Sequence, residues 1–233
     1  MSNEIVKKEN QFVANADAFD LQEEMAGLSI TFDKIKVPSG GGLAFEVPGD
    51  NPDEPDLQKE FKAVIIYHHP VLSYYKEKYT GGNEAPDCSS IDGINGIEKE
   101  TGVVNLCKDC PNNQFGSGEN GGKACKTKRR IFILRENEAF PSILTLPTGS
   151  LADFSKFIYS IVKKNKKSNQ VVTRFGLKKE SNKNGITYSK VTLAFDRDLN
   201  EAEIENIAKM TEQVKSLAYT LHEQEQNNDE SEE

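Results

Sequence analysis

The chain has no tryptophan and only three methionines, three histidines and four cysteines among 233 residues. Apolar residues make up 36 % and the mean hydropathy is -0.61. That is lean beside the roughly 45–50 % of ordinary globular chains, a benchmark that also counts glycine. Part of the length is therefore expected to be solvated loop or tail. No run approaches the ~20 apolar residues of a membrane span. The first ten residues, MSNEIVKKEN, lack the apolar stretch of a secretory signal. Transmembrane and secreted readings are set aside on these grounds, and the cysteines are expected to be reduced rather than disulfide-bonded. No His/Ser/Asp set and no pair of catalytic carboxylates can be nominated, so a non-enzyme is expected.

The formal net charge of -8 hides a segregation. Residues 1–60 carry 5 basic and 13 acidic side chains, 61–190 carry 21 and 12, 191–222 carry 3 and 6, and 223–233 carry none and 6. A basic middle between acidic ends is the asymmetry of a chain that meets a polyanion.

Periodicity predicts a short helix over 15–26, alternating strand over 28–37, a flexible Ser39-Gly40-Gly41-Gly42 turn into 43–47, and an acidic loop over 50–56. Phe61–Tyr67 reads as a central strand, with strands again at 130–134, 142–146, 170–178 and 186–195. Ser150 is the expected N-cap of a helix reaching Val162, with Leu151, Phe154, Phe157, Ile158 and Ile161 inward. A last helix starts at Asn200, where Glu203 completes a capping-box pattern, and buries Ile204, Ile207, Met210, Val214, Leu217 and Leu221. The absence of β-α alternation predicts an α+β class with a small antiparallel or mixed, β-barrel-like (OB-like) sheet and flanking helices. The expected organisation is an arm with a short helix (1–27), a single domain (28–222) with a metal-binding insertion at 80–128, and a disordered acidic tail (223–233).

All four cysteines fall in the weakly periodic insertion. Cys107-Lys108-Asp109-Cys110 is a CxxC knuckle, with Cys88 19 residues before it and Cys125 15 after. Four thiolates complete a tetrahedral zinc site, and zinc supplies ~10–16 kcal/mol to small peptides that lack a core. Structural Zn²⁺ on Cys88, Cys107, Cys110 and Cys125 is the expectation, with an iron–sulfur cluster as the alternative. The phosphate-loop lookalike Gly116–Lys123 fails, because Ser117 stands where the first glycine is needed and Ala124 follows the lysine. The adjacent His68 and His69 point to opposite faces of a strand and make no metal pair; a strand-end cap is expected.

Lys126, Lys128, Arg129, Arg130 and Arg135 follow the last cysteine, and Arg174 and Lys178 share one face of a later strand. Lys163, Lys164, Lys166 and Lys167 follow a helix end, where they equally suit the helix dipole. Tyr74, Tyr75 and Tyr79 interleave with Lys76 and Lys78. Such cations track phosphates, and such rings stack bases without reading sequence. Tyr74, Tyr75, Lys76 and Tyr79 join the seven basic residues first named as candidate nucleic-acid contacts.

Pro86-Asp87-Cys88-Ser89-Ser90, Cys107–Cys110 with Pro111-Asn112-Asn113-Gln114-Phe115-Gly116-Ser117, and Lys123-Ala124-Cys125-Lys126 carry a resemblance. From the glycine turn to the last helix the chain is similar to a family of phage and integrative-element proteins of uncharacterised activity. With its acidic tail it also resembles the single-stranded-DNA-binding proteins of phages and mobile elements, some of which bear a zinc loop. The resemblance implies sequence-tolerant binding of single-stranded DNA in replication or recombination, in the cytoplasm of a bacterial host. It also implies that the tail contacts replication or recombination proteins, and that no membrane is involved. The alternative is a protein-interaction or anti-defence factor whose acidic ends imitate nucleic acid.

Overall fold

Long runs of β-branched and aromatic residues build the sheet of this protein, seen here in a computed structural model that describes residues 31–49, 51, 54–77, 85–182 and 185–227, without the side chains of Asn120 and 219–227. In chain order the strands are β1 (Lys34–Ile35), β2 (Phe45–Val47), β3 (Asp56–Gln58), β4 (Glu60–Tyr74), β5 (Cys88–Ser90), β6 (Asn95–Glu98), β7 (Val104–Leu106), β8 (Lys126–Arg135), β9 (Ser142–Leu146), β10 (Val171–Ser181) and β11 (Thr187–Asp198). Helix α1 (Leu151–Val162) lies between β9 and β10, and α2 (Glu201–Asn227) follows β11. The helix expected at 15–26 lies outside the described residues.

β4 organises the sheet. One edge pairs antiparallel with β8 from Ala63 to Ser73; the other pairs with β10 over 60–64 and with β5 over 72–74. Pro70 falls in the interval where that second edge has no partner strand, so its missing N–H removes no ladder bond. This lets β4 run on through His68 and His69 to Tyr74, well past the end predicted at Tyr67. β9 continues the sheet beyond β8, with the two-residue β1 parallel to it; β10 carries β11, and β5 carries β6 and β7.

A register shift between Ile65 and Tyr67 marks a bulge, which moves the odd-numbered residues after it onto the face occupied by Val64 and Ile66 before it. Each face has its own core. On one, Ile65, Ile131, Ile133, Leu144, Val171 and Phe175 pack against Phe154, Phe157 and Ile161 of α1. On the other, Val64, Ile66, Phe132, Leu134 and Val172 pack against Ile207, Val214 and Ala218 of α2. The predicted inward stripes of both helices are thus observed as far as side chains are described, which leaves out Leu221. The capping box also forms: the Asn200 N–H donates to Glu203 Oε2 and the Glu203 N–H to Asn200 Oδ1, both at 2.9 Å.

Three expectations need correction. Ser150 does not cap α1 with its side chain, because its Oγ accepts the N–H of Val191 in β11 instead (3.0 Å). α2 runs to Asn227, taking in residues 223–227 that the sequence assigned to the tail; glutamate and glutamine propagate a helix that no glycine or proline stops. The α+β class and the mixed sheet are observed, but among the described residues the sheet does not close into a barrel. It curls until the glycine turn docks on β11: the Ser189 hydroxyl donates to the Gly42 carbonyl at 2.9 Å. A Cβ on Gly41 (φ +85°) would stand 2.6 Å from Thr187, so only glycine allows this approach. Among the described residues no helix is long and apolar enough to cross a membrane.

Candidate nucleic-acid interface and thiol cavity

The ladder β4–β5–β6 extends beyond both helices as a single layer, and its two faces differ in chemistry. Leu72 and Tyr74 of β4, Cys88 and Ser90 of β5, and Gly96 and Glu98 of β6 face a cavity of about 250 Å³. The alternate residues Val71, Ser73, Tyr75, Ile97 and Lys99 face a smaller cavity of about 180 Å³ on the other side. Strand alternation alone produces this division.

The first cavity gathers every cysteine of the chain: Cys88, Cys107, Cys110 and Cys125 all line it. Tight turns position them. The carboxylate of Asp92 accepts the N–H groups of Ile94 and Asn95 and the hydroxyl of Ser90, fixing the β5–β6 turn. Burial alone would raise the Asp92 pKa, but the Asn95 and Ile94 donors win and bring it down to about 2. Asn113 donates to the Cys107 carbonyl at 2.7 Å, and the Cys125 N–H donates to Asn112 O at 2.8 Å. Burial and the neighbouring thiols push Cys125 up to about 11 and raise Cys88 as well. Soft thiolate donors with Asp87, Glu98 and Glu100 on the rim suit a soft cation. Among the described residues, no three His, Cys, Asp or Glu side chains are already gathered into a ligand set; the thiols stand around the cavity wall.

Arg130 is a wall common to the smaller cavity and to an open groove of about 750 Å³, and its Nε and Nη1 are buried. The groove is bounded by Lys34 and Lys36 of the β1 region, Lys128 and Arg130 of β8, and Tyr188 of β11. Lys99 and the ring of Tyr75 line the smaller cavity, so that five cations and two tyrosine rings border the two surfaces; no carboxylate among the described residues lines either, and Lys36 is paired with Glu46 at 3.5 Å. Tyr188 is held from two sides. Its hydroxyl donates to Glu180 at 3.0 Å, and its ring lies so close over Gly149 that a Cβ there would meet Cε2 at 2.8 Å.

The expected nucleic-acid contacts therefore separate. Lys128 and Arg130 line the groove, and Tyr75 lines the smaller cavity next to it. Tyr74 and Lys76 face the thiol cavity, where the Lys76 ammonium lies 3.4 Å from Glu100 and 3.9 Å from Asp87. Lys126 is exposed at the start of β8 and donates to the Lys123 carbonyl. Arg129 points to the α1 face, onto His68 and the ring of Phe154. Arg135 is engaged by Glu138 and the Pro48 carbonyl. Arg174 pairs with Asp196, and Lys178 with Asp153 and Glu180. Tyr79 lies outside the described residues. Sequence reasoning missed Lys34, Lys36, Lys99 and Tyr188. The Lys34/Lys36 alternation opposite Ile35 was a usable signal; the nearness of Tyr188 to β8 was not, because the curl of the sheet creates it.

Comparison of the chain with protein-family models, with curated proteins and with solved structures finds no match.

Proposed function

We propose that the chain binds single-stranded nucleic acid, DNA in the first instance, along the groove through Arg130, with a structural zinc ion on its four cysteines. The supporting observation is a pair of adjoining surfaces whose described lining holds five cations and two tyrosine rings and no acidic residue, in a protein whose net charge is -8; Lys36 is paired there with Glu46 and the Tyr188 hydroxyl with Glu180. Lys34, Lys36, Lys99, Lys128 and Arg130 take phosphates. Tyr75 and Tyr188 take base faces, each stack being worth ~1–3 kcal/mol without sequence readout. The resemblance to phage single-strand binders points the same way, as does the basic middle of the sequence. The acidic segment after α2 competes with the strand for the groove and reaches replication or recombination partners.

Zinc fits the thiol cavity by donor chemistry. Among the described residues, the buried apolar residues beneath the insertion are only Leu72, Cys107 and Cys125, with Tyr74 against them. That is far too little to order some forty residues by packing, and a bound ion would supply the missing cross-link.

The test is fluorescence anisotropy with an oligothymidylate at several salt concentrations. Submicromolar binding is expected, with log K falling by about 0.7 per neutralised phosphate per decade of salt. Deleting 228–233, the acidic segment after α2, should tighten it. Absence of binding at low salt, together with capture of a specific protein partner, would instead support the interaction-factor reading.

A further inference from the structure

Ser89 lines both the thiol cavity and the cavity that carries Tyr75 and Lys99. Only one layer of strand separates sulfur chemistry from the groove. That layer is weakly held. β5 pairs with β4 over three residues and with β6 over two. β6 is pressed directly on sulfur: a Cβ on Gly96 would lie 3.0 Å from Cys88 Sγ and 3.3 Å from Cys107 Sγ. The thiols thus lie right beside the Gly96 backbone of β6, whose opposite face carries Ile97, with Lys99 just beyond it. The inner half of the groove is different. Lys128, Arg130 and Tyr188 project from β8 and β11, strands that rest on the two buried cores.

Resting on the nucleic-acid reading above, we propose that zinc occupancy of the thiol cavity sets the outer half of the groove, so that single-strand affinity follows metal loading. Zinc fastens Cys88 of β5 to Cys107, Cys110 and Cys125. The fastened ladder then presents Tyr75 and Lys99 in line with Arg130. Without the ion, this ladder has only its short pairings and its turns, and the outer contacts are lost while the inner ones stay.

The experiment uses the full chain, zinc-loaded and chelator-stripped, with three readouts: metal content, hydrogen exchange, and oligothymidylate anisotropy. The zinc-loaded chain is expected to hold a single zinc ion and to show slow exchange over 85–125. Stripping should speed exchange there, leave β8–β11 protected, and weaken binding about tenfold, the worth of one lost base stack. In a Tyr75→Ala/Lys99→Ala variant, which keeps all four thiols, binding should already be weak and stripping should change it no further. Equal affinity with and without zinc overturns the proposal, as does failure to hold zinc. So does a double variant that still loses tenfold on stripping. If the chain holds zinc and protects 85–125 but neither form binds oligothymidylate, the nucleic-acid reading itself has failed.

Discussion

Arg129 donates from both Nε and Nη2 to a single atom, His68 Nδ1, at 3.0 and 2.7 Å. A guanidinium can only donate, so Nδ1 must accept and the imidazole is neutral, with its proton on Nε2. The edge of the His68 ring meets Phe154 of α1, and the same ring of Phe154 carries the Arg129 guanidinium at 5.4 Å. One residue further along β8, Arg130 faces the groove. The two arginines are neighbours in sequence on opposite faces of β8, Arg129 turned to α1 and Arg130 to the groove.

The neutral histidine has a consequence in acid. Burial, then the charge of Arg129, lowers the His68 pKa from 6.5 to about 4. The unfolded chain takes up this proton below pH 6.5 and the folded chain does not until about pH 4, so the stabilisation is complete above 6.5 and lost as pH falls between those values. His69 is shifted the same way, again mainly by burial. Urea unfolding at several pH values should show stability falling through this window, by up to about 1.4 kcal/mol per pH unit for each group. His68→Gln, which keeps an acceptor for Arg129, should remove one proton's share of the slope; an unchanged slope would contradict the assignment.

The alternation along β8 makes a second prediction. Lys128→Ala and Arg130→Ala should weaken oligothymidylate binding, each flattening the salt dependence by about 0.7 in log–log slope; Lys128→Ala should leave the unfolding midpoint nearly unchanged, whereas Arg130→Ala, which removes a guanidinium with buried Nε and Nη1, should lower it as well. Arg129→Ala should do the reverse of Lys128→Ala. It removes a half-buried cation–π contact and two charged hydrogen bonds, at a cost of about 2 kcal/mol of stability, and leaves the salt slope intact. Titrations paired with urea melts of the three variants separate the roles.

Much of this arrangement was readable in the sequence, for identifiable reasons. The 3.6-residue stripes of α1 and α2 and the Asn200/Glu203 box are local patterns, and local patterns survive folding. The four cysteines could be grouped because no other residues of their kind exist in the chain. β5, β6 and β7 could not be read, because strands of three and four residues show no period and are set by turns such as the one Asp92 caps. The faces of β4 were obscured by the bulge at Ile66, which reverses the alternation and sends Tyr74 to the sulfurs and Tyr75 to the smaller cavity on the other side. The partnership of Arg174 and Lys178 with Asp196, Asp153 and Glu180 is wholly tertiary; on the strand alone they look free.

At the start of α2, Glu203 is 1 % exposed and accepts from Arg197 Nη1 and Nη2 and from the Asn200 N–H, each at 2.9 Å. Removing the carboxylate leaves the part-exposed guanidinium with the Asp198 carbonyl but without its ion pair, and uncaps the helix at the same time. Glu203→Ala should cost about 3 kcal/mol, and Asn200→Ala, which loses only the cap, about 1 kcal/mol. Thermal unfolding of the two variants should preserve that order. Equal losses would mean the ion pair adds nothing beyond the cap.

Gly149 and Tyr188 test the ring in the groove without touching a charge. A Cβ at Gly149 would sit 2.8 Å from the ring, well inside contact distance, and the ring has to turn away from the groove. Gly149→Ala should therefore weaken oligothymidylate binding about tenfold, matching Tyr188→Ala, since each removes one base stack. Tyr188→Phe keeps the ring and loses only the hydrogen bond to Glu180, so its affinity should stay within about twofold of the unaltered chain. If phenylalanine proves as damaging as alanine, the hydroxyl and not the ring face is what the strand meets, and stacking at this position is wrong. If Gly149→Ala binds normally, the ring has room to move without leaving the groove, and the close packing over Gly149 is not what orients it.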